Sequence, residues 1–474
     1  MKILLIYSNI NVSKDTWFSF GLASIIAVLR QHGFDTKLRI LFNESDYAKI
    51  LEDIKKDDPK VIGFSTVASQ FRFVKKAVAE VRKQYPDKIM VCGGVHPTLF
   101  PECLHEAPEL TGVFRGESEF SFLDFVKKIR DDKPYHDTTN FAYVNSDGKL
   151  HLNPLRPLIQ NLDVLPFPDI ESFDYEQIVK ASNGRVRFLF NRGCPNLCSF
   201  CSNHALAKTY GLPTFRPRYR SPQLAIKEIV RIKERFDLKY VFIVDEIFGL
   251  DRKWLLEFCT LYKKQVGIPF ECFQRANVFD LKTAEALKRA GCTNIDFGVE
   301  SGNDYIRNEI MKRYMKRETM VKAFKICRDV GLKATAANII GLPFETKEMI
   351  MDTVRLNREL LPDSSIAGIF YPYPGTELEK VCRENNLIIK ERIEDPNFIE
   401  RKKGTVLKLE VSDNDLIHIF DNWQKLVYRD PLTMLKYPKR LVLDPFFRKA
   451  KIAIKNPKKV VNKIAQIIKK ITKR

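Results

Sequence analysis

Short apolar runs alternate with helix-patterned stretches in two long series, on either side of a proline-rich break. A chain arranged this way folds as stacked strand–helix–strand units. The first series places strands at Lys2–Tyr7, Thr36–Leu41, Lys60–Ser65, Lys88–Cys92 and Thr111–Arg115. Helical patterns fall near 20–32, 45–56, 70–85, 101–107 and 118–130. The second series places strands at Arg187–Phe190, Tyr240–Val244, Phe270–Gln274, Asn294–Val299, Lys333–Ile340 and Ser365–Tyr371, separated by helices. The expected fold class is α/β: a doubly wound, Rossmann-like domain over 1–130, then a partial (β/α)6 barrel over 186–385. Residues 131–185 hold a hairpin pattern around Ser146-Asp147-Gly148, then Pro154, Pro157, Pro166 and Pro168, the composition of a linker. A helical extension over 386–435 and a basic tail over 436–474 complete the chain.

Three of the ten cysteines crowd into one loop, directly after the first strand of the second series. Cys194, Cys198 and Cys201 stand in Asn191-Arg192-Gly193-Cys194-Pro195-Asn196-Leu197-Cys198-Ser199-Phe200-Cys201. Three thiolates this close hold three irons of a four-iron cluster and leave the fourth open to a small ligand. A zinc site with a distant fourth ligand, His204 being the nearest, is the alternative. Cys92, Cys259, Cys272, Cys292, Cys327 and Cys382 sit in apolar stretches as ordinary core residues, and no disulfide framework emerges. No run of 18 apolar residues occurs and Met1–Tyr7 lacks a signal-peptide layout, so a cytoplasmic protein is expected.

Open parallel sheets and barrels both gather chemistry at the carboxyl ends of their strands. In the first series those ends carry Ser8 and Asn9, Ser65-Thr66-Val67, Gly93-Gly94-Val95-His96-Pro97 and Arg115-Gly116-Glu117. In the second they carry Asp245-Glu246, Gln274-Arg275-Ala276-Asn277, Glu300-Ser301-Gly302, Gly341-Leu342-Pro343-Phe344-Glu345-Thr346 and Tyr373-Pro374-Gly375-Thr376. One polar strand end is ordinarily a solvated loop. Five on one rim favour a site.

With Phe200 before the last cysteine, the triad resembles that of the radical S-adenosylmethionine superfamily. The resemblance implies a [4Fe-4S] cluster whose open iron chelates the amino and carboxylate groups of S-adenosylmethionine. One electron then cleaves the sulfonium to a 5′-deoxyadenosyl radical. It also implies roles on the rim. Glu300 matches the acidic residue that holds the ribose hydroxyls. Gly341-Leu342-Pro343 matches the turn beside the adenine, and Phe200 lies against the same base. Asp245 and Glu246 match the acidic pair near the methionine amino group. Arg275 is placed to meet the carboxylate, or to form an ion pair with Glu300 or Glu246.

The first 130 residues resemble the cobalamin-binding domain that precedes the barrel in one branch of that superfamily. The likeness runs through Gly21-Leu22-Ala23, Gly93-Gly94-Val95-His96-Pro97-Thr98 and Arg115-Gly116-Glu117-Ser118-Glu119. It implies a cobalamin site at Ser8, Asn9, Ser65, Thr66, Gly93, Gly94, His96, Gly116 and Glu117. The Asp-x-His-x-x-Gly signature that supplies a histidine to cobalt in many cobalamin proteins is absent after the first strand. His96 is therefore a pocket-lining candidate rather than a cobalt ligand. A domain that only packs against the barrel is the alternative.

The net charge is +20, and most of it lies at one end: residues 436–474 carry fourteen lysines and arginines against Asp444 alone. Within the tail Val460, Val461, Ile464, Ile467, Ile468 and Ile471 share one helical face, with Lys459, Lys463, Gln466 and Lys470 on another. This pattern fits an anionic membrane surface, where each lysine contributes about 1 kcal/mol. It equally describes a helix docked on the barrel with its lysines in water. Nucleic acid fits poorly, because the tail lacks aromatic stacking residues.

The whole resembles cobalamin-dependent radical enzymes. The resemblance implies methyl transfer from methylcobalamin to an unactivated carbon of a hydrophobic or lipid-like small molecule, with an electron donor such as flavodoxin or ferredoxin. No catalytic side chain is assigned. Radical cyclisation or oxidation, as in the anaerobic porphyrin ring-forming enzymes, is the rival reaction. A methylthiolating enzyme of transfer RNA would carry a second cysteine triad, whereas residues 1–150 hold only Cys92 and Cys103. A membrane-attached cluster sensor without turnover is the rival outside enzymology.

Overall fold

The computed structural model describes residues 1–12, 18–393, 395, 398 and 403–428, so the basic tail lies outside the described residues. The first sheet has seven strands: β1 (Lys2–Ser8), β2 (Asp35–Leu41), β3 (Val61–Ser65), β4 (Ile89–Gly93), β5 (Gly112–Phe114), β6 (Phe141–Val144) and β7 (Leu150–Leu152). Their spatial order is β2-β1-β3-β4-β5-β6-β7. The first five are parallel, and β1 is the switch point, with Ile3 opposite both Thr36 of β2 and Val61 of β3. The β6–β7 hairpin joins the sheet's edge antiparallel, with Val113 opposite Ala142.

Helices α1 (Phe20–Gln31), α2 (Tyr47–Asp57), α3 (Ala68–Gln84), α4 (Val95–Leu99) and α5 (Glu119–Arg130) connect and cover these strands. The Ser19 hydroxyl caps α1 by accepting the Leu22 amide. After α4 the chain restarts at Pro101 as a 3-10 helix to Glu106, so the helix expected over 101–107 is tighter and shorter.

A short helix α6 (Tyr175–Ala181) leads into the second sheet: β8 (Arg185–Phe188), then β11 (Tyr240–Ile243), β12 (Phe270–Gln274), β13 (Cys292–Glu300), β14 (Lys333–Ile340) and β15 (Ser364–Ile369). All six are parallel and neighbours in chain order, the arrangement of a partial barrel. A separate ribbon pairs β9 (Asn191–Arg192) with β10 (Arg218–Tyr219), and α7 (Ser202–Thr209) lies inside the loop it closes. The covering helices are α8 (Pro222–Arg235), α9 (Arg252–Gln265), α10 (Leu281–Ala290), α11 (Arg317–Val330), α12 (Lys347–Leu360) and α13 (Glu377–Glu384). Capping side chains start five of them, namely Ser221, Asp251, Asp280, Thr346 and Thr376, and Gly291 and Gly331 in left-handed conformation end α10 and α11.

The two sheets share one apolar core. Ile3, Leu5 and Val91 of the first join Phe188, Val241 and Phe270 of the second through Leu162, Leu165, Ile170 and Phe173 of the intervening segment. Beyond α14 (Lys390–Ile393), helices α15 (Asp413–Asp421) and α16 (Trp423–Tyr428) cover the last barrel strands, with Leu416, Ile419 and Trp423 on Ile340, Val354 and Ile369.

Candidate functional site

The three cysteines occupy the loop between β9 and β10, and each sulfur has a nitrogen donor. The Asn196 amide reaches Cys194 Sγ at 3.3 Å and the Asn203 amide reaches Cys201 Sγ at 4.0 Å. Cys198 Sγ has two guanidiniums, Arg275 Nη1 at 3.6 Å and Arg313 Nη1 at 3.9 Å. Donors aimed at sulfur are what thiolate-bound clusters use to stabilise negative charge. The loop is pinned in its middle: the Ser199 amide donates to Met311 O at 3.0 Å, and its carbonyl accepts the Leu378 amide at 2.9 Å. Among the described residues no three metal-ligating side chains converge on a single ion position. His204 Nδ1 instead faces the Glu377 carboxylate at 3.6 Å.

Asp245 takes a different place from the one expected beside a ligand. Its Oδ1 accepts the amides of Phe190 and Asn191 at 2.7 and 3.2 Å, deep beneath the loop. This clamp turns the chain out of the sheet after Phe188, which is why the first barrel strand is Arg185–Phe188 and not Arg187–Phe190. Desolvation raises the Asp245 carboxyl to about 8. Glu246, its neighbour, faces a cavity and accepts the Asn203 amide at 3.2 Å.

At the end of β13 the ladder to β14 skips a register between Gly298 and Glu300, and Glu300 adopts φ 65°. A bulge of this kind re-aims a side chain; Glu300 meets Arg313 at 3.6 Å. Burial raises the Glu300 carboxyl and lowers the Arg275 guanidinium. Arg275 also donates to Asn277 Oδ1 at 3.0 Å and to the Arg313 carbonyl. Gly341 opens a turn whose amides, with those of Leu342, are held by the buried Glu345 carboxylate at 2.7 and 3.1 Å. Phe200 packs on the neighbouring apolar group of Met311, Leu342 and Phe370.

A cavity of about 500 Å³ lies between the carboxyl edge of the first sheet and the cysteine loop. Ser65, Thr66, Gly93, Gly94, Gly116 and Glu117 line it from one side, and Gly193, Asn203, Tyr210 and Glu246 from the other. It runs beneath the first sheet along Leu5, Ile25, Val91 and Phe122. Two glycines are required here. A Cβ on Gly94, at φ 108°, would stand 2.3 Å from Thr66 O, and one on Gly116, at φ 71°, would stand 2.1 Å from the Tyr210 hydroxyl.

Three of the expected residues lie outside this wall. Ser8 Oγ donates to Gln70 Oε1 at 2.9 Å, and the Asn9 backbone N–H donates to Leu41 O at 3.0 Å, so both residues belong to the end of β1. His96 is buried between Phe71 and Phe100, and desolvation pushes its imidazole down to about 4. Glu117 lines the cavity, but Arg218 grips its carboxylate in a fork at 2.8 and 2.9 Å.

These features define a radical S-adenosylmethionine protein with a corrinoid-type domain at its N-terminal side. The radical SAM superfamily model matches residues 188–356, and the B12 binding domain model matches 8–126. The chain is 30% identical over 402 residues to the uncharacterized methyltransferase PH0819 of Pyrococcus horikoshii, covering 82% of this chain and 84% of that one. It is 25% identical over 393 residues to the anaerobic magnesium-protoporphyrin IX monomethyl ester cyclase of Rubrivivax gelatinosus, covering 80% and 69%. Among solved structures, the radical S-adenosylmethionine methyltransferase TsrM of Kitasatospora setae, with tryptophan and a SAM analogue bound, shares the fold at TM-score 0.67. Identity there is 16%, over 81% of this chain and 76% of that one. The chain belongs to the cobalamin-binding branch of the radical S-adenosylmethionine superfamily, whose cofactors are a [4Fe-4S] cluster, S-adenosylmethionine and cobalamin. The donor set fits the cluster, since three thiols with a nitrogen donor at each sulfur leave one corner open. The glycine-edged cavity fits a broad ligand brought against the backbone.

Sequence reasoning missed Arg313, Asn196, Asn203, Tyr210, Arg192 and Arg218. Arg313 stands in Lys312-Arg313-Tyr314-Met315-Lys316-Arg317, a stretch that reads as surface charge. The available signal was proximity: Asn196 and Asn203 are each two residues from a cysteine.

Proposed function

We propose that this chain is a cobalamin-dependent radical S-adenosylmethionine C-methyltransferase acting on a hydrophobic small molecule. The reading is carried by a cavity walled by both units, with the glycine edge of the first sheet facing the cysteine loop. When bound, cobalamin supplies a transferable methyl group, and the cluster with S-adenosylmethionine supplies a hydrogen-abstracting radical.

Cys194, Cys198 and Cys201 hold the cluster. Arg275 and Arg313, both buried, neutralise charge at Cys198 and offer N–H groups to the carboxylate of S-adenosylmethionine. Glu300 accepts the ribose hydroxyls, while Phe200 and the Gly341 turn flank the base. Glu246 presents its carboxylate to the cavity and orients a polar group there. The apolar walls of Leu5, Ile25, Val91 and Phe122 keep water from the reacting centre. A small protein of flavodoxin or ferredoxin type delivers the electron.

Anaerobically reconstituted protein, given dithionite, methyl-labelled S-adenosylmethionine and a lipid extract, tests this reading. Formation of both 5′-deoxyadenosine and S-adenosylhomocysteine, with label in the organic phase, supports methyl transfer. Deoxyadenosine without S-adenosylhomocysteine favours ring formation, the second reading, which the likeness to the cyclase supports. Neither product with an intact cluster favours a sensor.

The lipid-like substrate rests on the tail pattern of residues 436–474. No described helix is long and apolar enough to cross a membrane. Full-length protein is expected to float with phosphatidylglycerol vesicles and to lose that binding in high salt. Flotation that survives truncation at Lys436 would remove the tail from this account.

A further inference from the structure

The ribbon that carries the cysteine loop contains an electrostatic conflict. Arg192 on β9 stands directly opposite Arg218 on β10, and like charges opposite one another destabilise an antiparallel pair. Water does little to screen them, since their side chains are 23% and 6% exposed. Relief comes from the other unit.

Glu117 receives both terminal nitrogens of Arg218 at 2.8 and 2.9 Å and lies 3.4 Å from Arg192 Nη1. Glu119, at the start of α5, receives Arg192 Nη2 at 2.5 Å and the Ser24 hydroxyl of α1 at 2.9 Å. The Glu117 amide donates to the Tyr210 hydroxyl at 2.7 Å, from the far side of the cysteine loop. Both carboxylates thus take their guanidinium partners from the stem of that loop. Arg192 is two residues before Cys194, and Arg192, Glu117, Glu119 and Tyr210 all line the cavity. The stem of the loop and the wall of the cavity are one structure.

We propose that Arg192 and Arg218 are positioning residues that fasten the cysteine-loop stem to the cavity wall, so that cobalamin binding and cluster retention stabilise each other. The inference rests on the cobalamin reading of the cavity. A ligand filling the cavity confines the β5–α5 loop, and with it Glu117 and Glu119. Those carboxylates then hold two guanidiniums that otherwise repel. A loop held at its stem presents three cysteines in one geometry, and a loop locked by its cluster holds the glutamates in place in return. Linkage makes the effect on binding reciprocal.

Hydroxocobalamin is titrated into the full chain by absorbance, once with the cluster reconstituted anaerobically and once cluster-free. Iron release to a chelator is followed with and without hydroxocobalamin. The expected dissociation constant is about tenfold lower with the cluster present, within the usual range of coupled sites, and cobalamin slows iron release. In the double variant Glu117→Gln, Glu119→Gln the ratio falls toward one. Arg192→Lys, which keeps a charge facing both glutamates, retains more of the ratio than Arg192→Met. Equal affinities in the two wild-type forms overturn the proposal, as does an undiminished ratio in the double variant. Should that variant melt early, Glu119→Gln alone replaces it: a reduced ratio supports the coupling and an unchanged one overturns it. Hydroxocobalamin that binds neither wild-type form defeats the cobalamin reading itself, a result distinct from binding without coupling.

Discussion

The two parallel sheets put their sites on the same kind of edge and furnish them in opposite ways. The rim of the first sheet is built by removing side chains: Gly93, Gly94 and Gly116 line its cavity. The rim of the second is built by adding charge. Arg275 and Arg313, both buried, reach Cys198, and Glu300 meets Arg313 beside them. A broad, largely neutral ligand needs room and close backbone approach, whereas a small charged ligand needs fixed partners in a dry setting. The difference states which ligand each edge is made for, and substitutions on the two edges should fail differently.

The largest effect is expected at the charged rim. Cys198→Ala should lose the cluster, with iron content and 5′-deoxyadenosine formation both at background, while hydroxocobalamin still binds. Concerted loss of cobalamin binding in a folded variant would erase the distinction between the edges. Next comes the bare rim. Gly94→Ala forces a side chain against Thr66 O at a left-handed φ, a strain on the order of 1–3 kcal/mol. Denaturant midpoints should fall, and cobalamin affinity should fall with them, at unchanged iron content.

Arg313→Met should leave the cluster and cobalamin bound but weaken S-adenosylmethionine about ten- to a hundredfold, the value of lost hydrogen bonds between charged groups. Removing a positive neighbour of Cys198 should also move the cluster to a more negative potential. Equal affinity and potential would make Arg313 a packing residue only.

The smallest effect concerns the clamp beneath the loop. Burial raises Asp245 from 3.8 to about 8, so the folded protein retains a proton that the unfolded chain has released. Between those values the native state binds more protons, and stability falls as pH rises, by at most about 1.4 kcal/mol per unit from this group. Asp245→Asn keeps an acceptor for the Phe190 and Asn191 amides and removes the titration. Its urea midpoint should decline less between about pH 5 and pH 7.5 than that of the wild type. A parallel decline in both proteins would show that Asp245 does not titrate there.

Much of the fold was legible because its signals are local. Alternating apolar runs, the Ser146-Asp147-Gly148 turn and the prolines between the two series act within a few residues of themselves. The site was legible in part. A rule that points to strand ends cannot say which way each end residue turns. It put forward Thr66 and Gly94, which line the cavity, alongside Ser8 and Asn9, which do not. His96 fell to the same ambiguity, since one step along α4 carries a side chain from the cavity to the packing against Phe71.

By itself the amino-acid order determined the two strand–helix series, the cysteine triad and the glycines at the strand ends, since each depends on neighbours within one element. Only the tertiary structure decided that Asp245 supports the loop from below, that Arg313 joins Arg275 at Cys198, and that Glu117 and Glu119 answer Arg218 and Arg192. Those partners are 55 to 115 residues apart in the chain. Contacts at that separation are set by how the strands of the second sheet and their loops come together and, for the two glutamates, by how the two units pack, which no local pattern encodes.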